Sequence, residues 1–128
     1  MMKISVITPV FNGARFIRQT VESVISQRGG FELEYIVCDS LSTDGTTDIL
    51  REYEAAGKLR LMLRKDSGPC DAINHGMNLA SGDIACWLNA DDLFVPGALQ
   101  KVAERFEKDK SCMWLYGRCR IIDSEGRE

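Results

Sequence analysis

No run in this chain approaches the roughly 18–20 consecutive apolar residues that a membrane-crossing helix needs. The opening stretch Met1–Val10 also lacks the layout of a signal peptide and reads instead as a first strand. A basic excess is missing too. Sixteen Lys+Arg stand against nineteen Asp+Glu, a formal charge of −3, which disfavours non-specific nucleic-acid binding. Cys-x-x-Cys pairs are absent. The five cysteines, Cys38, Cys70, Cys86, Cys112 and Cys119, are odd in number and scattered, which argues against a disulfide framework and against a zinc site. Four of them lie in or beside apolar runs and read as small buried hydrophobes, a pattern suited to a reducing cytoplasm. The single histidine, His75, has no Ser or Cys arranged beside it for nucleophilic chemistry and reads as a solvent-facing helical residue. Neither Gly-x-Gly-x-x-Gly after the first strand nor a Gly-Lys-Ser/Thr loop occurs, which disfavours dinucleotide dehydrogenases and P-loop NTPases.

What is present is the composition of one ordinary globular domain. With 128 residues, 45% of them hydrophobic, the chain can bury a core without metal or disulfide staples. Apolar runs alternate with helical periodicity. Strands are expected at Ile4–Thr8, Tyr35–Cys38, Leu59–Leu63 and Ile84–Leu88. The helices between them are marked by Ile17, Val21, Val24 and Ile25, by Ile49, Leu50 and Tyr53, and by Ala72, Ile73, Gly76, Met77 and Ala80. A last helix carries Leu99, Val102, Ala103 and Phe106. Asn12 is placed to cap the first helix, Thr43 or Asp44 the second, and Pro96 to begin the fourth. Trp114–Tyr116 and Cys119–Ile122 read as a fifth strand and its extension. Four strand–helix units in a row predict one α/β domain over residues 1–128, an open and mostly parallel sheet with helices on both faces.

In such sheets ligands bind at the carboxyl ends of the strands. Polar residues gather at those ends: Thr8-Pro9, Asp39, Asp66, and Asn89-Ala90-Asp91-Asp92. Asp91 and Asp92 are adjacent carboxylates that repel each other. A hard divalent cation held by oxygen ligands would offset that cost and neutralise a diphosphate; a solvated turn with Asp92 capping a helix is the alternative. Asp39 opens the loop Ser40–Gly45 and suits either a hydrogen bond to a base or ribose, or an Asx-turn. Arg64 and Lys65 could face an anion or only solvent. Asp71 falls in the first turn of a helix, where the helix dipole favours a carboxylate.

In this order, these stations resemble the N-terminal part of a family 2 glycosyltransferase with the GT-A fold. The motifs are Ile7-Thr8-Pro9-Val10-Phe11-Asn12, Asp39-Ser40-Leu41-Ser42-Thr43-Asp44-Gly45-Thr46, Asp66-Ser67-Gly68, Asp71-Ala72-x-Asn74-x-Gly76, Ser81-Gly82-Asp83 and Leu88-Asn89-Ala90-Asp91-Asp92. The resemblance spans Ile4 to about Asp123. Asn89 stands where many members have Asp, and Ser40-Leu41 replaces a more usual Asp/Gly-Gly pair.

The resemblance implies a transferase that moves a sugar from a nucleotide-diphosphate donor, UDP-linked by expectation, to the hydroxyl of a glycan or lipid-linked acceptor in polysaccharide biosynthesis. It implies that Thr8 and Pro9 line the base pocket and that Asp39 binds the base. Arg64 or Lys65 flanks the nucleotide, and Asp71 and Asp91 approach the ribose or sugar. Asp92, with Asp91, holds Mn or Mg against the diphosphate. Inversion at the anomeric carbon needs a general base, which in the family lies beyond the position of Glu128. The chain therefore corresponds to a donor-binding half. Among the later carboxylates Asp123 is the nearest to a substitute, as the end of the fifth strand. A non-catalytic nucleotide-sugar-binding module, completed by another chain, is the alternative function. A nucleotidyltransferase is disfavoured because Thr8–Arg15 carries no Gly-rich basic loop. An incomplete sheet exposes an edge and an apolar face, which invites homodimerisation. The expected location is cytoplasmic, with the inner face of the membrane open as a peripheral site.

Overall fold

A computed structural model describes residues 1–128. Four strands, β1 (Met2–Val10), β2 (Phe31–Asp39), β3 (Arg60–Leu63) and β4 (Ile84–Trp87), alternate with four helices, α1 (Ile17–Ile25), α2 (Thr46–Ala55), α3 (Pro69–Leu79) and α4 (Ala98–Lys108). The sheet order is β3-β2-β1-β4 and every pairing is parallel. β1 lies at the centre and is buried from Ile4 to Val10, which is why its sequence is a nearly continuous apolar run rather than an alternating one.

The period of two along the strands divides the core. Ile4, Val6 and Val10 of β1, with Tyr35 and Val37 of β2, pack with Ile17, Val21 and Val24 of α1, Leu50 and Tyr53 of α2, and Leu99 and Ala103 of α4. On the opposite face Ile7, Ile36 and Cys38 meet Ala72 of α3. Gly76 lets α3 sit this close: a Cβ there would lie 2.5 Å from Ile7 Cγ2. Three helices thus cover one face and one covers the other. Because Ala85 and Trp87 are in register with Ser5 and Ile7, they share the α3 face, and α3 leaves them exposed.

Helix ends differ from the sequence reading in instructive ways. α2 closes on Gly57 at φ +69, with the N–H groups of Gly57 and Lys58 returning to the carbonyls of Glu54 and Tyr53, a Schellman motif. α1 has Phe16 rather than Asn12 at its N-cap, because Asn12 is engaged elsewhere. α1 also ends at Ile25, before Arg28 and Gly29-Gly30. α4 begins at Ala98, after Pro96 and Gly97. Its Leu99 N–H donates to Oε1 of Gln27, whose Nε2 donates to the Val95 carbonyl; a buried side chain from the end of α1 supplies the cap.

Three expectations fail. Trp114–Tyr116 and Cys119–Ile122 form no strand. Propensity alone does not satisfy a strand's N–H and C=O groups; a neighbouring strand must, and residues 109–128 find none. Trp114, Tyr116 and Ile121 are 73%, 85% and 93% exposed. Of the cysteines, all of them free, only Cys38 is buried; Cys86 and Cys112 are half-buried, and Cys70 and Cys119 are exposed. The buried reading of Cys112 and Cys119 fell with the missing strand. His75 does not face solvent. It is half-buried, and its Nε2 is enclosed without a hydrogen-bond partner.

Candidate active site

The carboxyl ends of all four strands converge on one cavity of about 630 Å³, within the size range of small-molecule sites. β1 and the loop after it contribute Pro9, Val10, Phe11, Asn12 and Gly13, with Phe16 behind them. Ser40 enters from the end of β2. Lys65, Asp66, Gly68, Pro69 and Ala72 form the side built by the β3–α3 connection, and Asn89, Ala90 and Asp91 follow β4. The ladder keeps these ends in step: Val10 pairs with Asp39, and Asp39 with Leu63. Beyond the strands, the N–H groups of Ser40, Arg64 and Leu88 donate to the carbonyls of Val10, Asp39 and Ile7.

The sequence-derived residues take distinct places. Pro9 and Asp91 line the cavity. Thr8 is buried one position behind it, its Oγ1 3.0 Å from Tyr35 Oη; burial pushes the Tyr35 phenol up, and the Thr8 hydrogen bond only partly offsets this. Asp39 is fully buried. Its Oδ1 accepts from Ser42 N–H (3.0 Å) and Ser42 Oγ (2.6 Å), and its Oδ2 from Thr47 Oγ1 (2.5 Å). The Asx-turn geometry is thus realised. A carboxylate has about four acceptor positions, and the loop uses three of them.

Lys65 lines the cavity, whereas Arg64 turns to Asp71 at 3.7 Å. Asp71 accepts the Ser67 N–H at 3.0 Å. This bond, with the Arg64 charge, holds its carboxyl below the usual range against a smaller opposing effect of burial. Beneath the same loop, burial and the negative charge of Asp66 push the Cys38 thiol up to about 11, so it remains a neutral thiol at pH 7.

Asp91 and Asp92 are both exposed, and neither is paired with a Lys or Arg. Asp92 Oδ2 accepts only from Asn89 Nδ2, at 3.3 Å. The polar groups at the end of β4 are therefore two carboxylates and the Asn89 amide; Asn89 and Asp91 line the cavity, and Asp92 stands just outside its lining. That set suits a hard cation such as Mg or Mn, which takes one or two carboxylates and completes its shell with substrate and water.

Asp66, expected at a ligand-binding strand end, lines the cavity; sequence reasoning did not single out Phe11, Phe16, or Lys65 as distinct from Arg64. The signal for Phe11 was available: a large aromatic immediately after a buried strand has no core to enter, and Phe11 is 63% exposed on the cavity wall.

The family model described as glycosyl transferase family 2 matches residues 5–127. The chain is 34% identical to the chondroitin synthase of Escherichia coli over 124 residues, covering 96% of this chain and 18% of that protein. It is also 34% identical to the putative teichuronic acid biosynthesis glycosyltransferase TuaG of Bacillus subtilis over 125 residues, covering 96% and 49%. The chain thus spans less than half the length of these relatives. Residues 1–349 of S. aureus TarS in complex with UDP-GlcNAc superpose with a TM-score of 0.75 and 27% identity over 84% of this chain and 32% of that one. A mannosyltransferase from Pyrobaculum calidifontis, in complex with GDP-Man and Mn2+, superposes with a TM-score of 0.73 and 28% identity over 80% and 32%. Sequence, sheet topology and the cavity at the strand ends agree: this chain belongs to glycosyl transferase family 2 and has the GT-A fold.

Proposed function

We propose that this chain is the donor-binding part of a glycosyltransferase that takes its sugar from a nucleoside diphosphate, UDP in the first instance, with help from a divalent metal. The observation that carries the reading is the two-sided cavity. An apolar and aromatic wall, Pro9, Phe11 and Phe16, stands at the end of β1, and Asp91, a carboxylate without a basic partner, stands on the wall after β4, with exposed Asp92 next to it in sequence, outside the lining. An aromatic face suits a nucleobase. The carboxylate end suits a cation that neutralises a diphosphate leaving group.

In this reading Pro9 and Phe11 take the base, with Thr8 supporting the strand from behind. Asp39 serves the nucleoside side as the anchor of Ser40–Thr47. Lys65 faces the phosphates and Arg64 orients Asp71 at the ribose side. Asp91 approaches the ribose or sugar, and Asp92 with Asp91 holds Mn or Mg. When bound, the metal supplies charge neutralisation of the departing diphosphate. Transfer forms a bond from the acceptor hydroxyl oxygen to the anomeric carbon and breaks the bond from that carbon to the diphosphate oxygen. The hydroxyl proton goes to a general base, and attack from the opposite side inverts the centre.

A base within this chain has little support. Asp123 lies in an exposed turn, where the N–H groups of Arg127 and Glu125 hold its carboxyl low and Arg127 Nε donates to it at 2.9 Å. We therefore expect the isolated chain to bind donor nucleotide yet transfer sugar negligibly, since a positioned base contributes typically 10²–10⁴-fold. The names of the relatives support a glycan or lipid-linked acceptor in polysaccharide synthesis. No helix is long and apolar enough to cross a membrane, and the exposed sheet edge at β4 supports self-association. Calorimetric titration with UDP, GDP and dTDP, with and without Mn, tests the reading. Binding of none of them overturns it, and robust transfer by a purified single 128-residue species overturns the assignment of the base.

A further inference from the structure

Asn12 has φ +51 and Leu41 has φ +59, the two non-glycine residues in the left-handed region. Such backbone persists only where its surroundings over-determine it, and it clusters at ligand clamps. These two residues sit in different loops, β1–α1 and β2–α2, and the loops are bolted together. Asn12 N–H donates to Ser42 Oγ (2.9 Å), Gly13 N–H to Thr46 Oγ1 (2.9 Å), and Ala14 N–H to Asp44 Oδ2 (3.0 Å). One side chain runs the other way: Asn12 Oδ1 accepts the Thr43 N–H at 2.8 Å. The Ser42 hydroxyl that accepts from Asn12 donates in turn to buried Asp39. The β1–α1 loop therefore hangs on a carboxylate it never touches.

The two loops contribute unequally to the cavity. Phe11, Asn12 and Gly13 wall it, whereas the β2–α2 loop reaches it only through Ser40. The second loop acts as the bracket of the first. Phe11 needs a bracket, because its ring is too exposed for packing to hold it. We infer that Asn12 is a positioning residue for donor recognition: its side chain locks the Phe11 wall onto the Asp39-anchored loop and so pre-forms the nucleoside face. This rests on the nucleotide-binding reading above. Unlocked, the wall is competent only part of the time, and apparent affinity falls by that fraction.

The test is calorimetry on the full chain with uridine, a neutral probe, and with pyrophosphate plus Mn, a probe of the carboxylate end. Asn12→Ala should weaken uridine binding about tenfold. Asn12→Asp keeps the oxygen acceptor for Thr43 N–H and should recover affinity to within about threefold of wild type. Asn12→Gly removes the backbone strain but not the loss of the acceptor, and should remain as weak as Asn12→Ala. Pyrophosphate binding should be the same in all four proteins. Amide exchange at Thr43 should quicken in Asn12→Ala and Asn12→Gly and stay slow in Asn12→Asp. Uridine binding unchanged in Asn12→Ala overturns the role of Asn12 alone. Failure of Asn12→Asp to recover overturns it in favour of direct ligand contact by the amide, and a parallel loss of pyrophosphate binding overturns it in favour of general damage to the fold. If the wild-type chain binds neither uridine nor UDP, the reading of the site itself falls, and this role with it.

Discussion

Asp39 and the Asp91–Asp92 pair stand at comparable places, one at the end of β2 and the other just after β4, on the same rim of the same sheet. Their surroundings are opposite. Asp39 is fully buried and accepts three hydrogen bonds from its own loop. Asp91 and Asp92 are exposed, and one weak amide contact is all the help Asp92 receives. Position at a strand end therefore makes a carboxylate available to a site without deciding its work. The number of donors the chain itself supplies separates the two: the loop occupies three of the roughly four acceptor positions of Asp39, whereas Asp91 and Asp92 keep nearly all of theirs open to a cation or ligand.

The strongest way to break this contrast is Asp39→Ala. It leaves the Ser42 N–H and two hydroxyls without an acceptor in a buried place, where a stranded donor costs roughly 1–3 kcal/mol. We expect a loss of about 3 kcal/mol in urea unfolding, together with weaker uridine binding. A midpoint unchanged from wild type would return Asp39 to a purely ligand-facing role.

Gly76→Ala tests the platform rather than the rim. Its methyl would meet Ile7 at 2.5 Å, and overpacking of this kind costs typically 1–3 kcal/mol. We expect a loss of about 2 kcal/mol with the metal-dependent binding at β4 retained in the folded fraction.

Glu34 provides a saturated carboxylate far from the site. It accepts from Ser5 Oγ, from Ser81 N–H at 2.8 Å and from Ser81 Oγ at 2.8 Å, and lies 3.8 Å from Lys3 Nζ. Burial pushes its carboxyl up, but these hydrogen bonds and the lysine outweigh burial and hold it below its ordinary 4.5. A carboxylate depressed in the folded state stabilises above its unfolded value, and that contribution is lost as pH falls through the folded one. Glu34→Gln should therefore cost about 1 kcal/mol at pH 7, and the difference from wild type should shrink below pH 4.5. A difference independent of pH from 7 to 3 would remove the charge from this account.

The smallest effect on stability is expected at the other pole of the contrast. Asp92→Asn should change stability by no more than about 0.5 kcal/mol, because no internal donor depends on it beyond Asn89. Its effect is expected on function: Mn should no longer strengthen UDP binding. Equal enhancement by Mn in mutant and wild type would move the metal elsewhere.

Much of this fold was legible in one dimension. Four apolar runs separated by helical periodicity are enough for a parallel α/β sheet, because strands buried on both faces cannot alternate and their crossovers must be long. The rim was legible as well: Pro9, Asp39, Asp66 and Asp91 all stand at or just beyond strand ends. The division of labour among them was not. Arg64 and Lys65 are neighbours in sequence, yet one turns to Asp71 and the other to the cavity. Asn12 looks like a helix cap and is spent on Thr43, thirty-one residues away. Trp114–Ile122 has the propensity of a strand but no partner strand in this chain.

Sequence by itself determined the order and approximate places of the four strands and four helices, since hydrophobic periodicity is a local property of the chain. It determined the order of the motifs too, and with them the family. Tertiary structure alone decided which polar groups remain free. Each hydrogen bond that occupies Asp39, Asn12 or Asp71 depends on where a loop folds back, and whether a carboxylate is spent or available is settled only when its donors have been brought within reach.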